Sequence, residues 1–145
     1  RRHLKFQPES SFMQFINPTE LNDPSGYGFT NIVTVPPGAT LAYIAGQGSG
    51  RTGEGGYPAS FSEQVDRAFA NLRTALGVIG ASPETVVKIT VLSVDHTDDK
   101  LRVISAARNA FWPNHKPAST LIPVPRLATS GMLFEIDAVA VIANQ

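Results

Sequence analysis

The side chains able to do chemistry in this 145-residue chain are few and scattered. There is no cysteine, which removes thiolate nucleophiles, disulfides and cysteine-based metal sites. The three histidines, His3, His96 and His115, fall in a tail and two loops without the close spacing that holds a metal ion. Glu135 stands in an alternating run, where its carboxylate can act as a general base, face solvent, or pair with Arg126 or Lys116. Ser119 and Thr120 are adjacent hydroxyls that can donate to a ligand oxygen or serve as plain strand-edge side chains. Arg126 and Arg51 are candidate cations, although a surface arginine is the commoner reading of such a residue. Gly46-Gln47-Gly48-Ser49-Gly50 has the glycines of a phosphate loop but not its Gly-Lys-Ser/Thr. Tyr57-Pro58-Ala59 also separates those glycines from the next helix, so loop amides and helix dipole would not converge. No catalytic set complete in one chain emerges. The site is expected to be shared between identical subunits.

The elements that must position these residues follow from pattern. Residues 1–11 read as an arm and 12–16 as a first strand, with turn chemistry at Asn17-Pro18 and Asn22-Asp23-Pro24-Ser25-Gly26. The β-type runs 30–35 and 40–45 are joined by Pro36-Pro37-Gly38, which predicts that they pair as a hairpin. Ser60 and Glu63 form an S-x-x-E capping box ahead of a helix whose buried face is Val65, Phe69, Leu72 and Leu76. Gly80 is its expected stop. A β-rich run follows at 86–94, and Thr97-Asp98-Asp99 opens a second helix with its carboxylates at the positive end of the dipole. Leu101, Ile104, Ala107 and Phe111 mark its buried stripe, and Pro113 ends it. Trp112 reads as packing, in the core or at an interface. Strands at 118–124, interrupted by Pro123, and 132–142 complete the order β-β-β-α-β-α-β-β.

Two helices on one sheet make a single two-layer α+β domain over residues 1–145. The strands carry apolar residues on both alternating positions, so one face of the sheet lacks a cover. Burial against further copies of the chain is the expected solution.

Composition narrows the partners. Hydrophobic residues make up 42% and charged residues 17%, which describes an ordered globule. Twelve basic and twelve acidic residues cancel, so the basic surplus of a nucleic-acid binder is missing and none is expected as a partner. No apolar run approaches the roughly 20 residues of a membrane span. Arg1-Arg2 suggests a twin-arginine export signal, but Gln7-Pro8-Glu9-Ser10-Ser11 stands where its apolar core belongs.

Several segments in fixed order resemble the Rid (YjgF-type) family over roughly residues 25–142. They are Ala45-Gly46-Gln47, Glu63-Gln64-Val65 through Asn71-Leu72, and Val86-Val87-Lys88-Ile89-Thr90-Val91. Lys116-Pro117-Ala118, Val124-Pro125-Arg126-Leu127 and Phe134-Glu135-Ile136-Asp137-Ala138-Val139-Ala140 continue the series. The resemblance implies a chorismate-mutase-like fold and a cytoplasmic homotrimer with three interfacial clefts. It also implies hydrolysis of small enamines and imines without a cofactor. Glu135 would then direct water onto a carbon–nitrogen double bond. The family's substrate-gripping arginine falls at Ser119, its pocket tyrosine at Phe29, and a common serine at Ala45, beside Gly46. A hydroxyl at 119 cannot replace a charge-assisted pair worth about 1.5–3 kcal/mol. A more apolar pocket, suited to a different and uncharged ligand, is therefore expected. Two alternatives stand beside the hydrolase: a non-catalytic ligand-binding or regulatory trimer, and an endoribonuclease using His96 and His115.

Overall fold

The computed structural model describes residues 12–50 and 56–142. The expected N-terminal arm, with His3, and Arg51 lie outside these residues. Among these described residues six strands and two α-helices are formed: β1 (Gln14–Ile16), β2 (Ile32–Thr34), β3 (Thr40–Gln47), α1 (Phe61–Val78), β4 (Val86–Val94), α2 (Asp98–Phe111), β5 (Ala118–Val124) and β6 (Phe134–Ile142). This is the expected element order and a two-layer α+β architecture. Pairing differs from expectation at one point. β2 pairs antiparallel with β1 in a separate ribbon, whereas β3 pairs with β6 in a four-stranded sheet of order β3-β6-β4-β5. The Pro-Pro-Gly turn thus carries the chain from ribbon to sheet. Local turn chemistry marked the bend without saying which strands it would bring side by side.

β4 pairs antiparallel with β6 and parallel with β5, the two parallel strands being joined through α2. Pro123 is tolerated because β5 is an edge strand with one partner. The helices fold as their ends dictate. Ser60 Oγ accepts from the Glu63 amide at 3.3 Å, but the Glu63 carboxylate turns to Arg67 at 3.0 Å, so half of the capping box is used. At the other end Gly80 takes φ +69°. The Ala81 amide then reaches the Leu76 carbonyl at 2.9 Å, and the Gly80 amide the Gly77 carbonyl at 3.2 Å, which is a Schellman stop. Thr97 caps α2 through the Lys100 amide.

The core lies between the helices and one face of the sheet. Val65, Leu72 and Leu76 of α1 and Ile104 of α2 pack on Ile89, Val91, Phe134, Ile136, Ala138 and Ala140. Trp112 is buried there against Phe69 and Phe111, and its Nε1 donates to the Pro83 carbonyl at 2.8 Å. Alternation puts the intervening residues on the opposite face, where Tyr43 is 77% exposed and Leu41, Leu92, Ile122, Val139 and Val141 are exposed or half-buried. Glu135 and Asp137 share that open face. Gln64, read from the sequence only as part of a motif, is buried and fully engaged. Its Nε2 donates to the Pro58 and Gly131 carbonyls, and its Oε1 accepts from the Leu133 amide at 2.8 Å. This clamp fixes the entry into β6 one residue before its first core side chain.

Candidate functional site

Two groups of the expected site residues form, and they lie on opposite faces of the sheet. The first sits at the start of β5 on the helix side. Thr30 bridges to Ala118, and its amide donates to the Pro117 carbonyl at 2.9 Å, which hangs Phe29 beside β5. The preceding turn docks on α2 because Gly28 has no side chain. At φ +86°, a Cβ there would lie 2.6 Å from the Arg108 Cβ and 3.1 Å from the Asn109 nitrogen. Asn109 Nδ2 holds the same turn through the Gly26 carbonyl at 3.1 Å.

Arg108, from α2, fills the space thus enclosed. Its Nη1 donates to Ser119 Oγ at 3.1 Å, its Nη2 stands 3.5 Å from Ser105 Oγ, and its guanidinium carbon lies 5.3 Å from the Phe29 ring centroid. The residue is 2% exposed, and its buried Nε has no hydrogen-bond partner. Among the described residues no carboxylate pairs with it. Desolvation lowers its pKa from the ordinary arginine value to about 10, so it remains a cation at neutral pH. The sequence reading, which expected a more apolar pocket and named Arg126 and Arg51 as the substitute cations, did not include this group. A guanidinium is absent from position 119 and present 3.1 Å from its hydroxyl. The signal was available: Arg108 falls in phase with Leu101, Ile104 and Phe111, an arginine inside an apolar stripe.

The second group surrounds Glu135 on the open face. Between Ile44 and Gln47 the register with β6 slips by one residue, a β-bulge that contains Ala45 and Gly46. Glu135 lies over this bulge, and a Cβ on Gly46 would fall 2.0 Å from its Oε1. The glycine therefore makes room for the carboxylate. Among the described residues Glu135 has neither an ion pair nor a hydrogen bond through its side chain. Its expected alternative partners are engaged elsewhere. Lys116 Nζ donates to the Trp112 carbonyl, and Arg126 donates to the carbonyls of Leu127 and Ala128 in its own turn.

Ser119 and Thr120, adjacent in sequence, are separated by the pleat. Thr120 points to the open face and accepts from Lys88 Nζ at 2.7 Å. Ser119 pairs with Ile89 and Glu135 with Leu92, so their α-carbons stand two strands and three residues apart, about 14 Å, with side chains on opposite faces. One small ligand cannot touch both within one chain. His96 and His115 are also apart, divided by the 14 residues of α2, about 21 Å of helix. His96 Nδ1 meets Ser93 Oγ at 2.9 Å, and His115 stacks on Phe15. Among the described residues no helix is long and apolar enough to cross a membrane.

Solved structures share this fold. A Rid-family protein of unknown function from Yersinia pestis superposes with a TM-score of 0.81 and 29% identity, covering 90% of this chain and 98% of its own. A Mycobacterium tuberculosis member of the YjgF/YER057c/UK114 family gives a TM-score of 0.60 at 21% identity, covering 90% of this chain and 100% of its own. Escherichia coli TdcF with bound serine gives 0.63 at 22%, covering 81% of this chain and 95% of its own. No curated protein sequence matches the chain. The Endoribonuclease L-PSP family profile matches residues 28–142, most of the chain. The chain therefore belongs to the Endoribonuclease L-PSP family, the YjgF or Rid family that its motifs resemble.

Proposed function

We propose that the chain assembles as a cytoplasmic homotrimer and hydrolyses a small imine or enamine in clefts between subunits. Each cleft joins the Glu135 face of one copy to the Phe29–Arg108–Ser119 corner of the next. The observation that carries this reading is the Glu135 carboxylate, unpaired among the described residues and given room by Gly46 at a β-bulge on a sheet face that no described element covers. The opposite placement of Ser119 supports a site built from two copies, because no single copy can present both groups to one ligand. The exposed Tyr43 and Leu41 supply apolar surface for the contact.

In the proposed step Glu135 takes a proton from water while the oxygen attacks the imine carbon, and the same proton then passes to the nitrogen, which leaves the carboxylate free again. Collapse of the carbinolamine forms the carbonyl and releases ammonia. Water supplies every atom added and no electrons are transferred, so the reaction requires no cofactor. Ala45 and Gly46 form the floor beside Glu135, and Ser119, with Phe29 over it, faces the other end of the substrate. Thr120 and Arg126 lie at the rim in this arrangement, and neither is needed for the chemistry. The family description carries an endoribonuclease label, but the separation of His96 from His115 gives that reading no geometric support.

The test is ammonia release from a panel of imines generated in situ, with the wild type and Glu135→Gln at matched concentration. Loss of a general base lowers a rate by about 100-fold or more. A wild type that accelerates no imine in the panel, while still binding the carbonyl products, would leave a ligand-binding trimer instead of an enzyme.

A further inference from the structure

The corner at the start of β5 holds a cation with no counter-charge among the described residues. Arg108 is 2% exposed, yet its described partners are two neutral hydroxyls, Ser119 Oγ at 3.1 Å and Ser105 Oγ at 3.5 Å. One N–H, on Nε, has no acceptor. A buried guanidinium normally brings a carboxylate with it, because removal from water is costly without one. Nothing in the local packing explains the omission. The side chain could snorkel outward along α2, as arginines on a helix surface do. Instead Gly28 gives up its Cβ so that the turn closes over it, and the Phe29 ring covers one guanidinium face.

We infer that Arg108 is the anchor of a carboxylate subsite, receiving the carboxylate of a small monoanionic ligand on Nε and the adjacent Nη. This deepens the cleft reading above and rests on it: the ligand's charged end is held from the helix, not from position 119 of the strand. The two Nη contacts with Ser119 and Ser105 fix the plane of the guanidinium and leave the Nε edge available for a bidentate carboxylate. Phe29, half-buried and hung between Gly28 and Thr30, is the cover that turns aside to admit it. A phosphate fits less well. Among the described residues the corner offers one cation, Arg108, with no second guanidinium bonded to Ser119 or Ser105 to balance a dianion. Desolvation of Arg108 agrees with a site whose charge is completed by its ligand.

The experiment follows the Arg108 Nε–H correlation in ¹⁵N-labelled full-length protein, assigned by its disappearance in Arg108→Lys. Sodium propionate, propionamide and sodium phosphate are titrated separately at constant ionic strength and pH 7. Propionate should shift the Nε–H resonance downfield along a saturable curve, while propionamide leaves it in place. The Ser119 amide should report the same isotherm, weakened at least tenfold in Arg108→Lys. Equal responses to acid and amide, or no response to either, would overturn the subsite, and neither result depends on a variant folding. Saturation by phosphate but not propionate would overturn the carboxylate assignment. The two readings fail separately. Imine hydrolysis that depends on Glu135, with no propionate effect at Arg108, would keep the cleft and remove the subsite. Propionate binding at Arg108 without any hydrolysis would do the reverse.

Discussion

Replacing Arg108 by methionine should stabilise the free protein. Burial lowers the pKa of this arginine from its ordinary value to about 10, and at about 1.4 kcal/mol per pH unit the charged form costs roughly 3 kcal/mol in the fold at neutral pH. Methionine has a similar length, no charge and enough flexibility to fill the same channel between Gly28, Phe29 and β5. Its introduction leaves Ser119 and Ser105 without their guanidinium donor. Both are only partly buried and can turn to water, so about 1 kcal/mol is returned for the pair. The net expectation is a gain of about 1–2 kcal/mol, or about 2–8 °C in Tm for a chain of this size. Urea denaturation and calorimetry at pH 7, at one protein concentration, read it directly. The sign of the pH dependence follows from linkage. A folded pKa below the unfolded one means that the unfolded chain binds more protons from about pH 10 up to the ordinary arginine pKa. This group's contribution to stability therefore rises with pH through that window, and the gap between variant and wild type should narrow there. Destabilisation by more than about 1 kcal/mol at pH 7 would refute the reasoning, since it would mean that the guanidinium holds the corner together.

Gly46→Ala should separate stability from chemistry. Its Cβ meets the mobile end of Glu135, not backbone, so a loss below about 1 kcal/mol is expected in denaturation. Imine hydrolysis should fall at least tenfold as the carboxylate is pushed off the bulge, and an unchanged rate would remove Glu135 from the mechanism. Tyr43→Glu places a charge at the β3 edge of the open sheet face, where the most exposed of its apolar side chains now stands, and should shift sedimentation toward monomer. A fully assembled variant would mean that copies meet elsewhere.

How much of this was legible in the sequence divides along local and non-local lines. Helix ends were legible because caps and stops are set within a few residues, as Ser60, Gly80 and Thr97 illustrate. The buried face of α1 was legible from period alone. The partner of β2 was not, since Pro36-Pro37-Gly38 fixes a turn and leaves open whether the strand behind it stays in the sheet. Glu135 was legible as a candidate, but its relation to Gly46 depends on a one-residue slip between strands distant in sequence. Arg108 was missed for another reason. Position 119 drew attention as the place where a cation should be, while a cation arriving from a different element leaves no mark at that position. The helical stripe carried the trace, and reading Ala107 as its member obscured the arginine next to it.

The same geometry makes a sharp statement about restoring the strand arginine. Ser119 faces α2, with Arg108 Nη1 at 3.1 Å from its oxygen. Ser119→Arg therefore sets a second guanidinium against a first that already lacks an anion among the described residues. Two like charges about 4 Å apart in a partly screened site repel by about 4 kcal/mol. The edge position of β5 lets the new side chain swing partly clear, so a destabilisation of about 2–3 kcal/mol is expected in urea denaturation. Combining Ser119→Arg with Arg108→Met moves the cation from helix to strand and should recover that loss, giving a coupling of at least about 2 kcal/mol in a double-mutant cycle. Propionate binding should survive in the double variant, because the corner again holds one cation facing the same end of the cleft. A stable Ser119→Arg single variant, additive with Arg108→Met, would show that the two positions do not serve one charge site. The carboxylate subsite would then lose its basis.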